Sequence, residues 1–186
     1  MASCFCAFAT SAGVAELGWV PDWAGTSRCS ETFLPSARLY AVAPSKEQLV
    51  LAVVRHFFRR ATERIEPVVR AEPDAGRRLG AYLAAVAREL EPASEAFRVD
   101  LAAHPPAEEV YRANTARAAR RVQQLVDDGV RARAMRPVDA RFVGAAVAEV
   151  MSGIQQGVLR ERTGMSDATA YAALADLVTR GVDTRA

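Results

Sequence analysis

The chain has 186 residues, of which 51% are apolar and 25% are charged, and its formal net charge is +2. This composition excludes an intrinsically disordered protein, and the length allows a sizeable core in one or two domains. No apolar run reaches the ~20 residues that span a bilayer, and no basic residue precedes the first apolar stretch, so we expect a cytoplasmic protein without a membrane partner. The three cysteines, Cys4, Cys6 and Cys29, lack ligand spacing, and we expect neither a metal site nor a cofactor.

Residues 1–33 show no convincing period, because glycine and proline recur within them. We predict an atypical, poorly ordered segment with at most one short helix there. A second short helix is predicted over residues 35–41, and Pro44 ends it. Ser45 follows, with Gln48 three residues later, and this capping box marks the start of a long helix.

Apolar stripes at helical spacing predict an all-α helical bundle after residue 34, with no strand. The predicted helices run from Ser45 to a kink or end at Pro67, from about Asp74 to Glu91, near Ala93 to Ala103, from Ala107 onward, from Pro137 to Arg162, and from Ser166 to Gly181. The fifth of these helices is rich in small residues, among them Gly144, Gly153 and Gly157. Glycines weaken a helix, so their number predicts that another helix approaches closely.

The junction between the short helix predicted over residues 35–41 and the long helix that begins at Ser45 resembles the TetR family of transcriptional regulators. In that family a Leu-Tyr pair ends the recognition helix of a helix-turn-helix, and a Ser-Lys-Glu-x-Leu sequence follows. Leu39-Tyr40 and the sequence PSKEQL at 44–49 match this pattern in order and spacing. The specific sequence motif covers about sixteen residues. The order of the helices after it extends the resemblance to about 150 residues.

The resemblance implies three segments: the atypical residues 1–33, a helix-turn-helix remnant at 34–48, and a ligand-binding and dimerisation domain at 49–186. A recognition helix lies in the major groove and contacts base edges and phosphates. The side chains that the resemblance assigns to operator DNA are Ser36, Arg38, Tyr40 and Lys46.

The same resemblance implies a homodimer formed by the last two long helices and a small-molecule effector bound among the helices. The interface candidates are Gly153, Gly157, Leu174, Leu177 and Val178, although the two glycines can also face neighbours within one chain. The candidate ligand-binding residues are Phe97, Leu101, His104, Tyr111, Phe142, Met151 and Gln155, for most of which core packing is the competing interpretation.

Two functions follow. The first is a one-component regulator, a repressor, that binds operator DNA as a dimer and is released by an effector. The second is a dimeric small-molecule-binding protein that binds DNA poorly. Residues 1–33 lack the long amphipathic first helix of the family, and Val42-Ala43 stand where the family usually has an aromatic residue or His followed by Phe. We expect no enzyme, because the sequence shows no nucleophile–base pair and no glycine loop for phosphate.

Overall fold

Six α-helices make up most of the described chain. The computed structural model of the protein describes residues 45–90 and 104–184. The helices are α1 (Lys46–Ala71), α2 (Ala75–Leu90), α3 (Pro105–Arg131), α4 (Ala140–Gln155), α5 (Val158–Thr163) and α6 (Asp167–Val182). Within these two ranges the only β-type pairing is an isolated bridge between Met135 and Asp183. The all-α fold class is therefore confirmed, while the expectations for residues 1–44 and 91–103 lie outside the described residues.

The chain divides into two compact units. The N-terminal unit comprises residues 1–60 and 92–111, and the C-terminal unit comprises residues 61–91 and 112–186. None of the six described helices combines the length and the apolar character needed to cross a membrane.

In the N-terminal unit, the start of α1 is fixed by its predicted cap. The backbone N–H of Gln48 donates to Ser45 Oγ over 3.2 Å, as the capping box predicts. Phe57 and Phe58 are buried on the predicted stripe, and the Phe58 ring meets Tyr111 edge to face at a centroid distance of 5.1 Å. The first helical prediction is thus confirmed in its start and in its buried face.

In the C-terminal unit, α6 packs against both α2 and α4. The largest fully buried side chains of this core come from α1, α2, α3 and α4: Val69, Leu79, Val122, Val126, Val147 and Ile154. The predicted close approach between helices occurs at Gly144, where a Cβ atom would lie 2.8 Å from the carbonyl oxygen of Ala119 on α3. Only glycine allows α3 and α4 to come this close.

Two bidentate ion pairs join α1 to its neighbours within the C-terminal unit. Arg64 donates to both carboxylate oxygens of Glu89 on α2, with distances of 2.6–3.0 Å. Arg121 on α3 donates to both oxygens of Glu66, at 2.9 and 3.0 Å. The geometry favours both pairs, because a guanidinium matches a carboxylate through two parallel hydrogen bonds.

Two predicted helices differ in extent from the structure. Of the two alternatives at Pro67, a kink or an end, the end is wrong: α1 continues through Pro67 to Ala71, because burial of Ile65 and Val69 stabilises the helix on both sides of the proline. The predicted helix from Pro137 to Arg162 is two helices, α4 and α5. Gly157 separates them with a φ of +79°, a left-handed conformation that an α-helix cannot contain.

Candidate functional site

An open apolar groove runs along α4 and α6. Its volume is about 370 Å³, and most of its lining is aliphatic or aromatic: Arg136, Val138, Asp139, Phe142, Val143, Ala146, Val147, Val150, Leu174, Leu177, Val178, Gly181 and Val182. Phe142 is 73% exposed and Leu177 is 70% exposed. Single exposed apolar side chains are common, but large ones grouped along one groove mark a binding surface.

The first turn of α4 places Phe142 at this groove. Asp139 precedes the helix, and its Oδ1 accepts hydrogen bonds from the backbone N–H groups of Arg141 (2.9 Å) and Phe142 (3.1 Å). The bond from Phe142, helped by that from Arg141 and by the Arg141 charge, holds the pKa of the Asp139 carboxyl below its usual range. The cap therefore favours the ionised carboxylate and fixes the backbone from which Phe142 projects into solvent.

The opposite wall of the groove belongs to α6. Ser166 caps this helix as predicted, since its Oγ accepts from the backbone N–H of Thr169 at 3.2 Å. Leu174 is buried at the groove, Val178 is half-buried, and Leu177 is mostly exposed. Three of the five sequence-derived interface candidates thus lie together on one surface.

The two glycine candidates lie elsewhere. A Cβ atom on Gly153 would stand 3.2 Å from Leu159 Cδ2, so this glycine makes room for α5 of the same chain. Gly157 forms the left-handed break between α4 and α5 and does not line the groove. For Gly153 the alternative of intrachain packing describes the geometry, whereas a Cβ atom on Gly157 would have no neighbour within 4 Å, and the role of Gly157 is in the backbone break.

A chain of uncharged hydrogen bonds crosses the interior of the C-terminal unit. The Thr115 hydroxyl of α3 donates to Gln155 Oε1 of α4 over 3.3 Å. Gln155 Nε2 donates in turn to the Tyr171 hydroxyl of α6 over 3.1 Å. We call Thr115, Gln155 and Tyr171 the polar chain. Thr115 and Tyr171 are each only 7% exposed and Gln155 is half-buried, so the polar chain is part-buried beside the apolar core.

The predicted ligand-binding residues are dispersed. Met151 is buried one turn before Gln155 on α4, and Phe142 lines the groove. His104 and Tyr111 belong to the N-terminal unit, where the His104 carbonyl accepts from the first turn of α3 and Tyr111 packs on Phe58. Phe97 and Leu101 lie outside the described residues, so these assignments stay predictions.

Of the three members of the polar chain, the sequence-derived candidates include Gln155 but neither Thr115 nor Tyr171. The sequence does indicate that Thr115 is buried, because it lies at helical spacing between Tyr111 and Ala118 on the buried face of α3. A polar residue on a buried stripe requires a hydrogen-bond partner, and Gln155 is that partner. Tyr171 sits beside Ala170 on the buried side of α6, where its hydroxyl has the same requirement.

The predicted DNA-binding residues are outside the described part of the chain, apart from the backbone of Lys46. Ser36, Arg38 and Tyr40 precede residue 45. Lys46 is the first residue of α1, directly after the Ser45 cap. Within residues 45–90 and 104–184 no group of His, Cys, Asp or Glu side chains is placed to hold a metal ion.

Comparison with known proteins yields solved structures rather than sequence relatives. No family model matches the sequence, and no curated protein matches it. A transcriptional regulator from Cytophaga hutchinsonii matches with a TM-score of 0.68 at 13% identity, over 97% of this chain and 96% of that chain. A candidate transcriptional regulator from Saccharomonospora viridis in complex with choline matches with a TM-score of 0.65 at 17% identity, over 98% of this chain and 96% of that one. At these identities the likeness shows the fold: the described part of the chain has the all-α architecture of these regulators.

Proposed function

We propose that the protein is a TetR-like one-component transcriptional repressor that binds operator DNA as a homodimer and is released by a small-molecule effector. The observation that carries the proposal is the apolar groove on α4 and α6, in a chain with the fold of transcriptional regulators. A regulator that reads two half-sites needs such a self-complementary surface.

The dimer forms through the groove. In an isologous contact each copy offers the same surface, so Phe142 and Leu177 of one protomer meet the groove of the other. Both side chains are about 70% exposed in the single chain, and pairing removes them from water. The charged pair Arg180–Asp176, with N–O distance 2.8 Å, lies on the same helix as Leu177 and supplies a polar rim.

Operator binding belongs to residues 34–48. The match of Leu39-Tyr40 and PSKEQL to the family pattern supports base contact by Ser36 and Arg38, and phosphate contact by Tyr40 and Lys46. The position of Lys46 at the N-terminus of α1 supports the phosphate role, because the helix dipole favours an anion there.

The effector binds in the C-terminal unit near Gln155 and Met151. A part-buried polar chain beside an apolar core supplies the few oriented hydrogen-bonding groups that a ligand site uses. The choline bound to the regulator from Saccharomonospora viridis makes a small quaternary ammonium alcohol the first probe to test.

A salt-dependent titration tests the proposal. The wild-type protein is added to a labelled duplex from the region upstream of its own gene and to a shuffled duplex. We expect a dissociation constant of about 10⁻⁸ M or tighter for the first duplex and binding at least ~1,000-fold weaker for the second. Choline or another effector weakens the specific complex.

Two matched variants connect DNA binding to the groove. Leu177→Asp puts a charge on the apolar surface, so we expect a monomer by sedimentation and loss of tight operator binding. Ala172→Asp makes the same change on an exposed part of α6 that does not line the groove, and we expect an unchanged dimer. A wild-type dimer that binds both duplexes equally and weakly would reject the repressor and leave the dimeric ligand-binding protein. A dimeric Leu177→Asp variant would reject the groove as the interface.

A further inference from the structure

The polar chain joins three helices at one point. It runs from Thr115 on α3 through Gln155 on α4 to Tyr171 on α6, with oxygen–oxygen and nitrogen–oxygen distances of 3.3 and 3.1 Å. Thr115 is the one polar residue that is buried among residues 45–90 and 104–184, apart from tyrosines. Gln155 is the central member, because its amide both accepts and donates.

Gln155 is also the last residue of α4. Gln156 forms the C-cap, and the left-handed Gly157 follows at once. The next helix, α5, has six residues and buries none of them. Apolar packing at this end of α4 comes from the buried Ile154 and from Leu159 of α5, and the amide of Gln155 adds hydrogen bonds to α3 and α6.

Two of the three helices that the polar chain connects, α4 and α6, form the groove. α4 carries Gln155 together with Phe142 and Val150, and α6 carries Tyr171 together with Leu174 and Leu177. Tyr171 precedes Leu174 by less than one helical turn. The distance between α4 and α6 sets the width of the groove, so a change in the Gln155–Tyr171 hydrogen bond changes the surface offered to a second copy.

We propose that Gln155 is a positioning residue that sets the spacing of α4 and α6 and thereby the affinity of the dimer. The proposal rests on the groove being the dimer interface, and it goes further by naming how that interface is regulated. A ligand that takes over the hydrogen bonds of Gln155 alters dimer affinity, and dimerisation alters ligand affinity by the same factor.

The chemistry of the polar chain names the class of such a ligand. A hydroxyl, a primary amide and a phenol recognise a group that both donates and accepts a hydrogen bond, such as an alcohol or an amide. No carboxylate or guanidinium belongs to the polar chain, and burying an anion without a charged partner is costly. The ligand group that reaches Gln155 is therefore uncharged.

The test measures the dimer dissociation constant by sedimentation equilibrium for three variants that remove hydrogen bonds with little change in shape. Gln155→Met removes both bonds, Thr115→Val removes the first, and Tyr171→Phe removes the second. Gln156→Met is the matched control, because the side chain of Gln156 is exposed. Urea unfolding of a monomeric Leu177→Asp background reports intrinsic stability separately.

We expect Gln155→Met to change the dimer dissociation constant at least ~10-fold, which corresponds to about 1.4 kcal/mol. Tyr171→Phe should change it several-fold and should add nothing when combined with Gln155→Met, because the bond is already absent. Gln156→Met should leave it unchanged. If Gln155→Met does not fold, Thr115→Val and Tyr171→Phe decide the question.

Each contrary result has a distinct meaning. If the variants lower the unfolding free energy but leave the dimer dissociation constant unchanged, the polar chain is structural only and the proposal is overturned. If Leu177→Asp is monomeric in the same experiment, the groove remains supported as the dimer surface although the role of Gln155 is rejected. If Leu177→Asp is dimeric, both the dimer surface and the role of Gln155 are overturned.

Discussion

Tyr82 on α2 is a buried phenol next to a half-buried ion pair. It is 6% exposed, and burial raises the pKa of its hydroxyl to about 12, with a further contribution from the negative charge of Glu66 and an opposing one from Arg121. The neutral form is thus favoured in the folded protein. The stability that follows is complete below pH 10, the pKa of an unfolded tyrosine, and is lost as the pH rises through 12.

We therefore predict a steep loss of stability in strong alkali that depends on Tyr82. Two pKa units correspond to about 2.7 kcal/mol at full loss. Unfolding free energies from urea titrations at pH 9 and pH 11.5 should fall more for the wild type than for Tyr82→Phe, which has no proton to lose. Equal losses in the two proteins would mean that other groups, not Tyr82, control alkaline unfolding.

At the scale of helices, Gly144 decides how closely α4 approaches α3. A Cβ atom there would meet the Ala119 carbonyl oxygen at 2.8 Å and Gln123 Cβ at 3.3 Å. Gly144→Ala should destabilise the protein by about 1–3 kcal/mol, because backbone atoms cannot move aside as a side chain can. Chemical denaturation measures the change.

Gly181→Ala on α6 is the matched control for this prediction, with both variants measured in the monomeric Leu177→Asp background because Gly181 lines the groove. A Cβ atom at position 181 would have no packing neighbour within 4 Å, so the alanine meets open space. We expect an unchanged or slightly higher unfolding free energy, by up to about 1 kcal/mol, since alanine favours helix over glycine. A loss at position 181 as large as that at position 144 would show that the destabilisation does not come from the α3–α4 contact.

Helical periodicity predicted the buried faces well, because burial and spacing are linked on any amphipathic helix. Phe57 and Val122 stand on apolar stripes at helical spacing and are buried, and helices begin directly after Ser45 and Ser166, each of which caps its helix. These features depend on neighbours within one helix, which the sequence displays directly.

The features that depended on distant contacts were not predictable in the same way. Local rules end a helix at Pro67, yet packing of Val69 against the core extends α1 beyond it. An apolar stripe also does not distinguish contacts within one chain from contacts between chains. Leu174 and Leu177 lie on the same apolar stripe, yet Leu174 is buried and Leu177 is 70% exposed.

At the scale of the whole molecule, a dimer would make stability depend on concentration. If unfolding separates the two copies, each tenfold rise in protein concentration stabilises the folded dimer by about 1.4 kcal/mol and raises the Tm. We predict this rise for the wild type in thermal scans and a constant Tm for Leu177→Asp. A wild-type Tm that does not change over a hundredfold range of concentration would contradict a dimer that is coupled to folding.

The left-handed Gly157 has a consequence for cooperativity. Helix formation propagates from residue to residue, and a residue outside the right-handed region interrupts it. α5 must therefore nucleate by itself, although its six residues are far fewer than the ~12 that an isolated helix needs. Its order comes from outside the helix, through Leu159 packed on Gly153 and the 2.9 Å ion pair of Arg160 with Asp167. The amide hydrogens of α5 should consequently exchange through local opening, at a free-energy cost below that of unfolding α4.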